Sequence, residues 1–143
     1  MKNGFTLVEL MIVITVISIL AVISIPIYQS YLIRSQVINV ISHIDTYKTF
    51  INYTYSQQGS CPTQTEINQI YNTESINSYI KSARLTSPYK NTCNILFELK
   101  NNISYRIANK HINYNLIVTD NDSSNWTCTS TDIGKIYLPS DCQ

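Results

Sequence analysis

Residues 5–27 read FTLVELMIVITVISILAVISIPI, and Glu9 is the one ionisable side chain among these 23 residues. An α-helix rises about 1.5 Å per residue, so roughly 20 apolar residues cross the ~30 Å hydrocarbon layer of a bilayer. The segment is therefore long enough and apolar enough to span a membrane. The 116 residues that follow it are enough for one modest globular domain.

The residues that flank this segment bear on its orientation and fate. Lys2 precedes it and Arg34 is the first charged residue after it, which favours a cytoplasmic N-terminus. A cleaved secretory signal would have a shorter apolar region of about 7–15 residues and a small-residue cleavage site. Pro26-Ile27-Tyr28 stands where that site would be. Two interpretations remain: a plain membrane anchor, or a helix that also packs against copies of itself.

Glu9 distinguishes these two interpretations. On insertion scales a carboxylate at the centre of a membrane span costs roughly 2.5–3.5 kcal/mol, and somewhat less near the end of the span. A plain anchor has no use for such a residue. A helix that leaves the lipid and packs against its own copies could use it, provided that a cation meets the carboxylate. The position of Glu9 therefore favours self-assembly.

Residues 4–13, GFTLVELMIV, resemble the class III signal of type IV pilins, and residues 26–31, PIYQSY, resemble its continuation. The resemblance implies that a prepilin peptidase cuts the Gly4–Phe5 bond and that Phe5 becomes an N-methylated N-terminus. It also implies that Glu9 neutralises the Phe5 amine of a neighbouring subunit during assembly.

The same resemblance divides the chain into three parts. Residues 1–4 are a leader peptide, which here is short and carries one lysine. Residues 5–27 are a transmembrane and assembly helix, in which Pro26 marks the place where the helix bends or unwinds in filaments, consistent with its missing N–H donor. Residues 28–143 are a head domain outside the cytoplasm. The expected location is the inner membrane for the precursor, then an extracellular pilus.

An apolar stripe continues beyond the membrane segment and predicts one helix from Phe5 to about Ser56. Gly59 and Pro62 are its stop signals. The residues at three- and four-residue steps are Val37, Ile41, Ile44, Tyr47 (or Lys48), Ile51 and Tyr55. Such a stripe is typical of a helix face that packs on a sheet.

The next segment predicts little regular structure. Thr63-Gln64-Thr65-Glu66 has the spacing of a capping box, which indicates a short helix carrying Ile67, Ile70 and Tyr71. A weak second helical turn is indicated around Glu74 to Ile80. Ser87-Pro88 predicts a loop.

Alternation from Cys93 onward predicts four short strands separated by turn signals at Asn101-Asn102 and Asn109-Lys110. The predicted strands are Cys93–Leu99, Tyr105–Ile107, Tyr114–Val118 and Trp126–Thr129. The expected fold class is α+β: a long N-terminal helix packed on a four-stranded antiparallel meander. The pilin resemblance implies the same fold.

The four cysteines are Cys61, Cys93, Cys128 and Cys142. None forms a C-x-x-C pair and only two histidines are present, which argues against a zinc site. Two disulfides are expected in an oxidising compartment. Of the three possible pairings we expect the sequential one, because each bridge then closes one local loop. Residues 126–142 also resemble the disulfide-bounded region that closes many type IVa pilins, a region that secretion pseudopilins usually lack.

The sequence offers no pattern for catalysis or for a cofactor, so we expect a non-enzyme without a bound metal. Asp120 to Asn125 opens like a calcium loop, but it lacks glycine at position six and has Thr131 at position twelve. A polar loop is the better interpretation.

Charge is distributed unevenly, although the whole chain carries only +1. Between Lys81 and Lys110 six basic residues accompany Glu98 alone, and Lys81, Arg84, Lys100 and Arg106 are the candidates for nucleic-acid contact. Four aspartates and one lysine lie between Asp120 and Asp141. We favour a solvated surface whose two halves attract between neighbouring subunits over a site for DNA.

The leading functional hypothesis is a structural subunit of a type IV pilus that supports adhesion, twitching motility or DNA uptake. Its partners would be other pilin subunits and the prepilin peptidase. Two alternatives remain: a minor pilin that acts as a DNA receptor, and a pseudopilin of type II secretion.

Overall fold

The computed structural model describes residues 5–71, 79–89, 92–119 and 124–143. The chain divides into two compact units, residues 1–32 and residues 33–143. The helices and strands are α1 (Leu7–Gln58), α2 (Gln64–Tyr71), β1 (Ile80–Tyr89), β2 (Thr92–Leu99), β3 (His111–Val118) and β4 (Ser124–Thr129), followed by short 3₁₀ turns at Lys135–Tyr137 and Ser140–Cys142.

The first unit is helical from Leu7 onward and carries its apolar side chains on the surface. The large apolar side chains of residues 5–28 are 47–79% exposed. An 18-residue window of this helix has a mean hydropathy of 2.9, so its length and composition suit a membrane span. The hydroxyls of Thr15, Ser18 and Ser24 donate to helix carbonyls three or four residues earlier at 2.7–2.8 Å, which satisfies these polar groups within the helix itself.

The second unit packs the remainder of α1 on one face of the sheet. Its strand order is β1-β2-β3-β4, and each strand pairs antiparallel with the next one. Along β2 and β3 buried residues alternate with partly exposed ones, because one face of the sheet is covered and the other is not. The fold class predicted from the sequence, a long helix on a four-stranded antiparallel sheet, is therefore confirmed.

The buried stripe of α1 repeats at the predicted three- and four-residue steps, but some of its residues differ from those predicted. Its buried residues are Ile33, Val37, Val40, Ile44, Tyr47, Ile51 and Thr54. Ile41 and Tyr55, which were predicted for the stripe, are only partly buried at its margin. Gly59 ends the helix as predicted: its φ of 64° is a left-handed conformation, and its N–H donates to the Tyr55 carbonyl at 2.8 Å.

A row of aromatic rings forms the centre of the core. The Tyr47 and Phe97 ring centroids lie 5.1 Å apart, those of Phe97 and Tyr114 6.2 Å, and those of Tyr114 and Trp126 6.3 Å. All three pairs meet edge to face, the arrangement that the ring quadrupoles favour. The row joins α1 to three neighbouring strands, so it fixes the helix on the sheet.

The predicted capping box is confirmed at the start of α2. The backbone N–H and the hydroxyl of Thr63 donate to Glu66 Oε2 at 2.7 and 2.8 Å, and the N–H of Glu66 donates back to Thr63 Oγ1 at 3.4 Å. The backbone hydrogen bond from Thr63, followed by its hydroxyl, lowers the pKa of Glu66. The reciprocal bonds satisfy donors that the first helical turn leaves unpaired.

One predicted strand was wrong and another was missed. Residues 105–107 form a turn in which the N–H groups of Ile107 and Ala108 both donate to the Ser104 carbonyl at 2.9 Å. The fourth strand of the sheet is instead β1. The alternation at Tyr105 and Ile107 led to the wrong prediction because Ile107 lies in a turn and its side chain is nevertheless buried in the core.

The predicted loop at Ser87-Pro88 was also wrong, since both residues belong to β1 and Pro88 pairs with Cys93. Proline fits there because β1 lies at the edge of the sheet, where a strand needs donors on one side only. The weak helical turn around Glu74 to Ile80 falls mostly outside the described residues, and Ile80 begins β1.

Candidate functional site

The start of α1 carries the candidate assembly residues. Gly4 lies outside the described residues, and the Phe5 side chain is 79% exposed. The Thr6 backbone N–H donates to Glu9 Oε2 at 2.9 Å and the Thr6 hydroxyl donates to the same oxygen at 2.8 Å, while the Glu9 N–H returns a bond of 3.3 Å to Thr6 Oγ1. Glu9 therefore caps the helix that contains it.

The cap formed with Thr6 leaves one carboxylate oxygen of Glu9 for a further partner. Both bonds from Thr6 use Oε2 of Glu9 and neither uses Oε1. A carboxylate at a helix N-terminus is also favoured by the helix dipole. Glu9 can therefore remain ionised beside apolar neighbours and still offer one oxygen to a cation. The role of Thr6 was not predicted, although Thr6 and Glu9 have the Thr-x-x-Glu spacing of a capping box.

Pro26 lies inside α1, which continues through it in the single chain. Because proline has no N–H, the carbonyl of Val22 lacks the helix donor that residue 26 would otherwise supply. The hydroxyl of Ser30 donates to the Pro26 carbonyl at 3.1 Å. The helix is thus weakened at this turn without being broken, which suits the expectation that it bends or unwinds there in filaments.

Two disulfides connect the cysteines in sequential order. Cys61 is bonded to Cys93, with their Cα atoms 5.7 Å apart, and Cys128 is bonded to Cys142, with a Cα separation of 4.4 Å. The first joins the segment between α1 and α2 to the start of β2. The second holds the C-terminal residues against β4, where Tyr137, Leu138 and Cys142 are buried.

A small cleft lies between α1 and this C-terminal region. It has a volume of about 320 Å³, and Asp45, Lys48, Tyr114, Trp126 and Asp141 are among its lining residues. The Lys48 ammonium bonds to Asp45 at 2.9 Å and lies 5.4 and 5.9 Å from the centres of the Tyr114 and Trp126 rings. Burial, and then the charges of Asp45 and Asp141, raise the pKa of Tyr114 to about 12, so its hydroxyl stays neutral.

Asp132 attaches the C-terminal region to the start of β3. Its carboxylate accepts from the backbone N–H of His111 at 3.0 and 3.1 Å and lies 2.9 Å from His111 Nδ1, and the Ser130 hydroxyl donates to it at 3.1 Å. The Lys110 ammonium donates to the Asp132 carbonyl oxygen at 2.5 Å. Burial raises the pKa of Asp132, but the hydrogen bonds from His111 and Ser130 outweigh it, so the pKa is lowered.

The structure brings together two of the four candidate residues for nucleic-acid contact. Lys81 and Arg84 lie on β1 and line a groove of about 620 Å³ between β1 and α2. Lys100 follows the end of β2. Arg106 belongs to the turn at residues 105–109, with its guanidinium carbon 5.2 Å from the centre of the Tyr105 ring.

Lys81 is not available as an unpaired cation. Its ammonium bonds to Glu98 at 2.6 Å, and the Ser82 hydroxyl donates to the same carboxylate at 3.1 Å. The hydrogen bond from Lys81 is the main cause that lowers the pKa of Glu98, so this carboxylate stays ionised at neutral pH. Within the groove Arg84 therefore supplies the stronger attraction for an anion.

Metal binding has little support in the part of the chain that the structure describes. There, no group of three or more His, Cys, Asp and Glu residues could hold an ion. Asp120 to Ser123, which open like a calcium loop, lie outside the described residues.

Comparison with protein families finds two matches that together cover almost the whole chain. Residues 33–143 match the family described as pilin, a bacterial filament protein. Residues 1–25 match the prokaryotic N-terminal methylation motif. The boundary between the matches lies close to residue 32, where the first compact unit ends.

Individual relatives agree with the family matches. The chain is similar to the fimbrial protein EcpC of Eikenella corrodens, with 34% identity over 99% of this chain and 91% of the relative. It is 50% identical to a fimbrial protein of Moraxella nonliquefaciens over 42% of this chain and 38% of the relative. The type IV major fimbrial protein FimA of Dichelobacter nodosus is 53% identical over 36% of this chain and 33% of the relative.

Proposed function

Because the chain belongs to the pilin family of bacterial filament proteins, we propose that it polymerises through its N-terminal helix into a type IV pilus. The chain is a type IV fimbrial subunit, and other pilin subunits are its partners in the filament. In this proposal residues 5–27 make the contacts between subunits. The whole chain acts as a structural protein rather than an enzyme.

One observation carries this proposal: residues 5–27 expose all their apolar side chains and contain a single carboxylate, Glu9, which caps the first turn of the helix. Soluble proteins rarely leave so large an apolar surface uncovered. Lipid covers such a helix before assembly, and neighbouring helices cover it within a filament. Glu9 adds a reason to leave the lipid, because its open carboxylate oxygen can meet the amine of a neighbouring subunit.

The amine in this scheme is the one that processing creates. Cleavage of the Gly4–Phe5 bond by a prepilin peptidase at the inner membrane frees the Phe5 amine, which then carries one methyl group. A methylated amine remains a cation, and pairing it with Glu9 removes two unpaired charges from apolar surroundings. The precursor resides in the inner membrane, and the assembled subunit is part of an extracellular pilus.

Adhesion, twitching motility or DNA uptake is the use that we propose for this filament. The copy number of the chain in sheared, purified filaments tests its structural role. A major subunit is the most abundant protein in such filaments, and a minor subunit is present at a small fraction of the total. Absence of the chain from filaments would contradict both forms of the proposal.

A second candidate function, a minor pilin that acts as a DNA receptor, is favoured by the groove that holds Lys81 and Arg84. The ion pair of Lys81 with Glu98 weakens it, because a neutralised lysine releases fewer counterions from DNA. A pseudopilin of type II secretion is a third candidate. The disulfide between Cys128 and Cys142 argues for a pilus instead, on the resemblance to type IVa pilins.

A further inference from the structure

The outer edge of β1 is covered in an unusual way by one side chain of α2. The Gln64 amide nitrogen donates to the Ala83 carbonyl at 2.8 Å, and the backbone N–H of Leu85 donates to Gln64 Oε1 at 2.9 Å. Among the described strands β1 pairs only with β2, and these two backbone groups face away from β2. Gln64 thus makes the two hydrogen bonds around Arg84 that one residue of an added parallel strand would make, and it occupies the same two groups that an antiparallel strand would use.

We infer that this pair of bonds, the Gln64 clamp, closes the edge of β1 against pairing with β1 of a second copy of the chain. An open strand edge presents unpaired N–H and C=O groups and readily accepts another strand. Polymerisation through the N-terminal helix, as proposed above, would bring the heads of neighbouring subunits close together, and an open edge would then compete with the contacts between helices. To this extent the inference rests on the proposed function, whereas the bonds of the clamp itself do not involve Glu9.

Other features of β1 work in the same direction. The strand has register shifts at Lys81 and Thr86, and Pro88 lies near its end. Register shifts, prolines and charges are the usual means by which natural sheets protect their edges. If two copies of β1 paired antiparallel about Arg84, their arginines would lie directly opposite one another, and like charges in that position are unfavourable.

Arg84 thereby has a role that needs no nucleic acid. It lines the groove beside the Gln64 clamp and places a positive charge on the edge strand, whereas the charge of Lys81 is paired with Glu98. Arg84 repels the second copy at the place where the clamp holds the backbone.

The clamp is tested by amide hydrogen exchange on the full chain in detergent micelles, at a concentration low enough to avoid association. Gln64→Ala should speed exchange of the Leu85 amide by about fivefold, the effect of losing one hydrogen bond of ~1 kcal/mol. Asn68→Ala is the matched comparison: it removes the bond of the Gln64 amide to Asn68 at 2.9 Å and keeps both bonds to β1, so it should change Leu85 exchange less than Gln64→Ala does. Unchanged exchange at Phe97, within the sheet, shows that the variant is folded.

The claim that the clamp prevents pairing of β1 with a second copy is tested by sedimentation of the full chain in detergent micelles over a range of protein concentrations. The double variant Gln64→Ala/Arg84→Thr should associate more than the wild type, and most clearly at about 0.5 M salt, where the remaining charges are screened. Arg84→Thr alone should sediment as the wild type does. Unchanged exchange at Leu85 in Gln64→Ala, or a double variant that associates no more than the wild type, would overturn the inference.

Discussion

The carboxylate of Glu9 accepts two hydrogen bonds from Thr6, one from its backbone N–H and one from its hydroxyl, both to Oε2. The residue expected to meet a neighbouring amine is thus already held at the first turn of its own helix. The two bonds orient the carboxylate, and neither of them involves Oε1. The relationship explains how an ionised group can be carried in an apolar helix until assembly.

Replacing Glu9 should separate membrane insertion from assembly. Glu9→Val removes the costly carboxylate, so insertion should be intact or improved. Filaments should be lost, because the neighbouring amine then has no counter-ion. Glu9→Gln, which keeps the shape but not the charge, should also lose filaments, whereas Thr15→Val in the same helix should retain them. Membrane fractionation and the yield of sheared filaments measure the two effects; normal piliation by Glu9→Val as the sole subunit would refute the role.

Removing the disulfides should destabilise the head by similar amounts. The loops that they close have sequence separations of 32 and 14 residues. The chain-entropy model gives about 3–4 kcal/mol for loops of this size, less any strain. Double replacements, Cys61→Ala/Cys93→Ala and Cys128→Ala/Cys142→Ala, are compared with the wild type by urea unfolding, followed by Trp126 fluorescence in detergent. A loss below about 1 kcal/mol for either pair would contradict this estimate.

Non-reducing peptide mapping checks the connectivity directly. We expect peptides that link Cys61 to Cys93 and Cys128 to Cys142. Crossed linkages would be incompatible with the pairing of β2 and with the position of the C-terminal residues beside β4.

Asp132 should make the stability of the head depend on pH in the acidic range. Its folded pKa is lowered, so it stabilises the folded state above the ordinary aspartate value of about 3.9, and this contribution is lost as pH falls through the folded pKa. Asp132→Asn should therefore be less stable than the wild type at neutral pH, and the difference should shrink below about pH 4. Asp141→Asn is the control in the same region. A difference that is constant from neutral pH to about pH 3 would exclude this linkage.

Binding of duplex DNA should be weak at physiological salt. Among the residues that the structure describes, the basic ones that line the groove beside α2 are Lys81 and Arg84, and Lys81 is paired with Glu98. With about two phosphates neutralised, the logarithm of affinity should fall with the logarithm of salt at a slope no steeper than about −2. Titrations at two salt concentrations, with Lys81→Ala and Arg84→Ala, measure this. Submicromolar binding that both substitutions weaken would instead support the DNA receptor.

The features that the sequence predicted best are those with a local physical signal. The apolar run from Phe5, the stop at Gly59 and the capping box at Thr63 each depend on neighbouring residues, and the structure contains all three. The predicted strand at Tyr105 was wrong because alternation indicates which side chains are buried and not which backbone groups are hydrogen-bonded. Ile107 is buried from a turn, as an inward residue of a strand would be.

The strand β1 was missed because its residues carry little local signal for a strand. Its sequence carries Lys81, Arg84 and Pro88, which disfavour a central strand, and its two register shifts interrupt the alternation. These residues are tolerated because β1 is at the edge and receives Gln64 from a different element. The hydrogen bonds of Gln64 with Ala83 and Leu85 are set by the tertiary fold and have no local signal, so sequence patterns could not reveal the strand or its clamp.

The intact mass of this chain in sheared, purified filaments tests the central claim most directly. Assembly through the helix that begins at Phe5 requires a processed and exposed N-terminus. The predicted mass is that of residues 5–143 with two disulfides and one methyl group at the N-terminus. A filament protein that retains Met1, or filaments in which this chain is absent, would contradict the account.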